Sequence, residues 1–391
     1  MNRQIINKFL NIYCFFTLAI IVTIKYDYIY LSTILGLILI MLIDLYNIKN
    51  GFKISDARNR IFKIVCYIYC IYTICITLIN YKPLLLIYSI HKIIPLILCC
   101  KLITYLNEEE IKRLRSYCCK LVLCIIGAYI ILLVLRIAYV ELGINTRIMT
   151  FSDSIANYSE YRFSGMLSHK SRFGIFCILV FFIIAKEIGF NKEGKFAVIA
   201  LLILSLFSNS ITTSIFFLVA ISIYIFYKNI KPIILNFKKG KITKKQLLVI
   251  FMLFIIVVIL LQLSTMMIAT VTQIRDFSTL GSRLEIWQYA VEYIKNSIHA
   301  AIRIPDDLAL QGITYYNNAH NLILNEAIET GIFGSLVLTI TFILTIIFQR
   351  GLFNKIIFLC IFIAAQFDKM ISNEVIYMYW LVVTLYINKE V

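Results

Sequence analysis

The sequence is short of charged residues and of the residues that keep chains disordered. Only 15% of its 391 residues are Asp, Glu, Lys or Arg and 61% are apolar, whereas about 25% of a typical soluble domain is charged. This composition excludes a water-soluble enzyme. Proline and glycine are also scarce, at 4 and 14 residues, which excludes a disordered or linker-like chain. The composition predicts a membrane protein with several spans.

Acidic residues are scarce relative to basic ones, at 21 against 38, so the formal net charge is +17. In a soluble protein this excess would indicate a nucleic-acid partner. Here the Lys and Arg residues collect in alternate loops, including the basic segment 228–246, and cytoplasmic loops are the ones that retain basic residues. This pattern predicts cytoplasmic termini, a charge-balanced outer face and no nucleic-acid partner.

Apolar runs predict an all-α integral membrane protein, since a membrane-spanning helix needs about 20 mostly apolar residues. We treat residues 1–391 as a single polytopic domain. Twelve spans are predicted, at 9–24, 28–47, 61–80, 84–106, 117–140, 171–190, 195–209, 211–227, 247–268, 330–349, 354–368 and 371–387.

The predicted external loops contain no cysteine, because all eleven cysteines lie in or at the ends of the spans. This distribution argues against a disulfide framework or a zinc site on the outer face, and it favours small apolar fillers. Two external loops, 141–170 and 269–329, exceed the length of about 12–15 residues above which loops usually have a function. They contain His169 and His320, so we place the candidate site there.

In the larger external loop, Ser282-Arg283-Leu284-Glu285 forms a capping-box pattern that predicts a helix. One interpretation is an interfacial helix on the outer leaflet, with Arg283 holding a lipid phosphate. The other is a packing helix with solvated charges, in which Arg283 pairs with Glu285 or Asp276. The predicted apolar stripe of this helix consists of Leu284, Trp287, Val291 and Ile294.

The same loop ends in a polar segment that enters the tenth span. Asn318 is a candidate N-cap, and helical spacing puts Asn321, Asn325 and Glu329 on one face. A polar stripe at the mouth of a membrane helix is costly unless it lines a cavity. His320 at its top is either a solvated loop histidine or a catalytic one.

Basic side chains also occur elsewhere near the predicted outer surface. In the first external loop, Arg162, His169, Lys170 and Arg172 could clamp a diphosphate or snorkel at the interface. Within the fourth span we expect Lys92, next to His91, to snorkel outward, and we interpret Arg136 in the same way. A lipid-phosphate contact is the alternative for Lys92 and Arg136.

Three motifs occur in an order that resembles a known family. His320-Asn321, nine residues, Gly331, two residues and Gly334 resemble the His-Asn-x9-Gly-x-x-Gly signature of the O-antigen ligase and polymerase superfamily. The segment from Arg162 to Gly165, followed by His169 and Phe173-Gly174, is similar to its Arg-x-x-Gly segment. Ser208 to Ser214 resembles its Ser/Thr-rich turn. The resemblance covers about residues 150–340.

The resemblance implies a GT-C-like membrane glycosyltransferase that acts on undecaprenyl-diphosphate-linked oligosaccharide at the outer face of the bacterial inner membrane. Such enzymes invert configuration and use no metal or other cofactor. The hypothesis for the site assigns diphosphate binding to Arg162 and Arg283, with Arg172 and His169 in support. It assigns hydroxyl activation to His320, oriented by Asn321, with Glu329 in reserve.

We favour a polymerase that joins repeat units of a capsule or O-antigen. A ligase that transfers finished glycan is the main alternative, and a flippase or transporter and a non-catalytic scaffold are further ones. The expected partners are the lipid-linked oligosaccharide, membrane lipids, a chain-length regulator and a flippase.

Overall fold

All regular secondary structure in the described part of the chain is helical. The computed structural model describes residues 3–19, 31–51, 57–79, 83–142, 170–208, 211–230, 283–296, 319, 321–366 and 375–387. The helices are α1 Arg3–Ala19, α2 Leu31–Asn50, α3 Ala57–Ile79, α4 Pro83–Tyr105, α5 Glu108–Leu142, α6 Lys170–Glu187, α7 Lys192–Phe207, α8 Ile211–Ile225, a π-helical extension Phe226–Ile230, α9 Arg283–Asn296, α10 Leu322–Phe348, α11 Leu352–Ala365 and α12 Val375–Tyr386.

The helix surfaces are those of a membrane protein. Large apolar side chains point outward from several helices, among them Ile48, Ile79 and Phe196, which are 70%, 77% and 74% exposed. A soluble monomer rarely exposes contiguous apolar patches. In the described part of the chain, four helical segments are long and apolar enough to cross a membrane: Leu31–Asn50, Asn59–Ile79, Glu108–Leu135 and Leu322–Phe348.

Each predicted span overlaps a helix, except for the ninth predicted span, 247–268, which lies outside the described residues. Some boundaries differ. Helix α5 begins at Glu108 rather than at residue 117, so Lys112 and Arg113, which lie between the fourth and fifth predicted spans, are on a helix. Three acidic residues in its first turn stabilise this early start through the helix dipole. That twelve helices cross the membrane stays a prediction.

Helix α12 is the centre of the bundle. Every side chain from Val375 to Tyr386 is buried, and the helix packs against α1, α4, α5 and α6. Trp380 contacts the rings of Phe62 and Phe342 at centroid distances of 6.4 and 5.7 Å. A helix that is apolar on all sides needs either a protein interior or lipid around it, and in this structure protein surrounds α12.

Polar contacts cluster at two opposite ends of the bundle. One end has the ion pairs of Arg3 with Glu110, at 2.6 Å, and of Lys101 with Asp44. The other end includes the hydrogen bond between Thr33 and Tyr377 and the contacts of Lys92 described below. Each contact joins residues that the predicted alternation of spans puts on the same side. These contacts agree with the predicted alternation for α1, α2, α4, α5, α10 and α12, and which end faces the cytoplasm stays a prediction.

Candidate functional site

Helix α10 bends sharply at Gly331, where the backbone leaves the helical conformation with φ 78° and ψ 175°. The hydroxyl of Ser335 donates a hydrogen bond to the carbonyl of Ile323 over 2.9 Å. In a straight helix the twelve-residue separation would place these residues about 18 Å apart along the axis. The chain therefore turns back at Gly331, and a short helix Leu322–Thr330 precedes the tenth predicted span.

The second glycine of the motif allows this bend to close. A Cβ atom on Gly334 would lie 2.2 Å from Thr330 Oγ1 and 3.0 Å from Tyr72 Cε1. Only glycine permits that approach without displacing the side chains of Thr330 and Tyr72. The spacing Gly331-x-x-Gly334 thus has a structural cause, because one residue supplies the positive φ and the other supplies the space.

The start of the short helix is fixed by side-chain hydrogen bonds. Asn321 is its N-cap, and the amide oxygen of that residue accepts from the Leu324 N–H at 3.0 Å. The predicted N-cap, Asn318, was therefore wrong by about one turn. Asn321 is the residue whose oxygen satisfies an otherwise unpaired N–H of the first turn.

Two further side chains fix Ala319, immediately before the cap. Its N–H donates to the amide oxygen of Asn325, and its carbonyl accepts from Trp287 Nε1, both at 2.8 Å. His320 itself lies outside the described residues. The residues on both sides of it are nonetheless held by hydrogen bonds. The sequence hypothesis did not include the hydrogen bonds that Trp287 and Asn325 make to Ala319.

Helix α9 packs against the start of α10, and only Trp287 and Ile294 of the predicted stripe take part. Ile286 and Ala290 are the buried residues, and they contact Ala319 and Ile328. Leu284 and Val291 of the predicted stripe are 40% and 39% exposed. The helix was thus predicted correctly, and its protein-facing side was predicted only in part. Leu284 and Val291 are exposed, and the interfacial position of α9 stays a prediction.

Lys92 does not snorkel outward, as the sequence suggested, but forms a buried ion-pair cluster. Its ammonium contacts Glu326 Oε2 at 2.8 Å and also contacts Glu329 Oε2. The side chains of Lys92 and Glu326 are 3% and 2% exposed, and that of Glu329 is 11% exposed. The snorkelling prediction was wrong because two carboxylates of the short helix lie within reach and replace water around the ammonium.

Helix α3 supports the same cluster. The Tyr69 hydroxyl donates to Glu326 Oε1 at 2.8 Å, and the Tyr72 hydroxyl donates to the Thr330 carbonyl at 2.9 Å. Glu326 is the most buried carboxylate of the site, and the polar stripe of the sequence hypothesis omitted it. The signal that could have found it is Lys92 itself, since a charge inside a membrane span needs an opposite charge nearby.

A second polar cluster lies beside Lys92. His91 Nδ1 is 2.8 Å from the Thr33 hydroxyl and 3.1 Å from the Tyr377 hydroxyl. This cluster joins α2, α4 and α12 in the bundle interior. It accounts for His91 as a packing element at the same end as the site.

The remaining predicted site residues are described only in part. Arg162 and His169 lie outside the described residues. Arg172 lies in the first turn of α6 and is partly buried, and Arg283 is the first residue of α9, with a side chain that is not described; the same holds for the side chain of Arg136. Among the described residues, no group of three His, Cys, Asp or Glu side chains could hold a metal ion.

The segment that contains this bend also matches a known family. Residues 196–339 match the family described as O-antigen ligase. The predicted resemblance is confirmed. The matched segment runs from α7 through Asn321, the short helix and both glycines of the bend. The family implies a glycosyl-transferring enzyme of O-antigen-related polysaccharide biosynthesis in a membrane. No curated protein matches the chain.

Proposed function

We propose that this protein is a polymerase that joins undecaprenyl-diphosphate-linked oligosaccharide repeat units into a surface polysaccharide. The reaction takes place at the outer face of the bacterial cell membrane, within a GT-C-like fold of twelve spans. The observation that carries the proposal is the family match over residues 196–339, together with the fixed chain on both sides of residue 320.

In the proposed reaction, a sugar hydroxyl of one repeat unit attacks the anomeric carbon of another. The new glycosidic bond forms as the bond to the lipid diphosphate breaks, with inversion. The hydroxyl proton passes to His320, a role that suits an imidazole near neutral pH. The cap at Asn321 orients the histidine through the backbone, and Glu329, the most exposed carboxylate of the cluster, is the reserve acceptor.

The leaving diphosphate requires positive charge more than it requires protonation. Arg162 and Arg283 bind it, with Arg172 and His169 in support, because guanidinium groups hold phosphate oxygens in bidentate geometry. Stabilisation of the departing charge is commonly the largest catalytic contribution. Arg162→Lys should therefore impair turnover although it retains the charge, since a lysine cannot make the bidentate contact.

The test is polymer formation by purified protein supplied with lipid-linked repeat units. His320→Ala, inserted at the normal level, is expected to lose polymer by at least about tenfold, below the usual range for general acid–base groups of about a hundredfold or more. His299→Ala, in the same predicted loop, is the matched control and should retain activity. Normal polymer yield and length from His320→Ala would contradict the assignment.

A ligase that transfers finished glycan to another acceptor is the main alternative, because the matched family is described as O-antigen ligase. Cells lacking a polymerase should retain single repeat units on the lipid, whereas cells lacking a ligase should retain long lipid-linked polymer. Movement of the lipid-linked oligosaccharide across vesicles without new glycosidic bonds would instead indicate a flippase.

A further inference from the structure

A lysine on α4 joins the short helix Leu322–Thr330 to the membrane bundle, beside the tyrosine contacts from α3. The Lys92 ammonium lies between Glu326 and Glu329, which are three residues apart and so share one side of that helix. All three side chains are at least nearly buried, with exposures of 3%, 2% and 11%. The contact spans more than 230 residues of sequence and connects the N-terminal bundle to the segment that carries the family motif.

Such a contact fixes geometry more than it adds stability. Burial of an ion pair costs solvation that the attraction between the charges only partly returns, so a buried pair is weak evidence for stability. A fully bonded polar cluster does favour one arrangement over others. Here the ammonium has one preferred position between two carboxylates, and Tyr69 holds Glu326 from the other side. The register of the short helix on α3 and α4 is thereby specified.

We propose that Lys92 is a positioning residue for glycosyl transfer. It holds the helix Leu322–Thr330, and with it the cap at Asn321, in the orientation that the acceptor-activating end of this segment needs. This inference rests on the proposed function. It predicts that loss of Lys92 lowers turnover without weakening donor binding, because the ion pairs of Lys92 within the described part of the chain are with this helix.

The experiment compares Lys92→Gln with Lys101→Gln in full-length protein in nanodiscs. Lys101 is a matched control because it lies on the same helix and pairs with one carboxylate, Asp44, at the opposite end of the bundle. Two quantities are measured: amide hydrogen exchange over residues 322–330, and the kinetics of polymer formation from lipid-linked repeat units.

For Lys92→Gln we expect exchange over residues 322–330 to rise at least tenfold and kcat to fall at least tenfold, with KM for the donor within about twofold. Lys101→Gln should change neither quantity by more than about twofold. Unchanged exchange, or faster exchange with unchanged kcat, would overturn the proposal. A rise in KM alone would also overturn it, since it would assign Lys92 to donor binding.

A second variant, in which all three side chains of the cluster are uncharged, keeps the proposal testable if Lys92→Gln fails to fold. Lys92→Met combined with Glu326→Gln and Glu329→Gln leaves no unpaired buried charge, and apolar or neutral replacements of buried ion pairs are often tolerated. We expect it to insert and to show the same loss of kcat. Because Glu329 is the reserve acceptor of the proposed reaction, this loss counts for Lys92 only together with faster exchange over residues 322–330, and normal kcat or unchanged exchange in this variant would refute the proposal. Absence of transfer by the wild-type protein would refute the proposed function instead, while the exchange measurement would still test whether Lys92 holds the helix.

Discussion

A side chain added at either glycine of the bend should destabilise the protein, but for a different physical reason at each position. Gly331 has φ 78° and ψ 175°, a backbone region used almost only by glycine, where another residue costs about 1–3 kcal/mol. Gly334 would bring a Cβ atom to 2.2 Å from Thr330 Oγ1. Overpacking of this kind typically costs about 1–3 kcal/mol when neighbours can move. The same Cβ atom would also lie 2.7 Å from Thr330 Cβ, so we expect the upper part of that range.

Two other glycines serve as controls for these terms. Gly351 also has a positive φ, of 81°, but no atom lies within 4 Å of the position that an added Cβ would occupy, and Gly127 has neither constraint. Gly351→Ala should therefore show the backbone cost alone. Gly127→Ala in helix α5 should be neutral or stabilising by up to about 1 kcal/mol, because alanine is the better helix former.

The assay is thermal unfolding of each variant in one detergent, followed by polymer formation at a temperature where all are folded. We expect Gly334→Ala to be the least stable, Gly331→Ala and Gly351→Ala to follow, and Gly127→Ala to match the wild type or slightly exceed it. Activity should fall at least tenfold only for the two variants at the bend. Gly334→Ala with the stability and activity of Gly127→Ala would refute the reasoning that the chain turns back at this point.

Other contacts give further tests. Trp287→Phe keeps an aromatic ring but removes the hydrogen bond to the Ala319 carbonyl, so turnover should fall several-fold while thermal stability drops by only about 1 kcal/mol; equal turnover would contradict a role in fixing the site. Ser335→Ala removes the bond across the bend and should cost about 1 kcal/mol in unfolding measurements, whereas an unchanged midpoint would count against that bond. Arg3→Gln breaks an ion pair at the other end of the bundle; it should lower stability by up to about 1 kcal/mol and leave polymer formation unchanged, and a specific loss of kcat would contradict the separation of the two ends.

The helices of this fold could be predicted from sequence because hydropathy is a local property. The apolar runs indicated the positions of the apolar helices, and the family match at residues 196–339 supports the predicted resemblance. Helix ends were less predictable. Helix α5 begins at Glu108, among charged residues that hydropathy assigns to a loop. Hydropathy misses this start because an average over apolar character does not include helix-dipole and capping effects.

The contacts of the site could not be predicted, because they depend on partners that are distant in sequence. The sequence shows that Lys92 lies in an apolar span but not that Glu326 lies opposite it. In the same way, the stripe through Leu284 and Val291 was an equally good amphipathic face to the one through Ile286 and Ala290 that packs against α10. The catalytic role of His320 stays a prediction that the proposed variants test.

Helix α7 has a consequence for the surrounding lipid. Its ends are set by Asn191 and Ser208, so its 16 residues span about 24 Å, whereas the hydrocarbon core of a bilayer is about 30 Å thick. Its outward residues Phe196, Ile199 and Ile203 are apolar and exposed. As the seventh predicted span, α7 is too short for an undeformed bilayer, and membranes respond to such mismatch by thinning locally. We therefore predict that, with α7 as the seventh span, lipids with shorter acyl chains relieve the mismatch beside it.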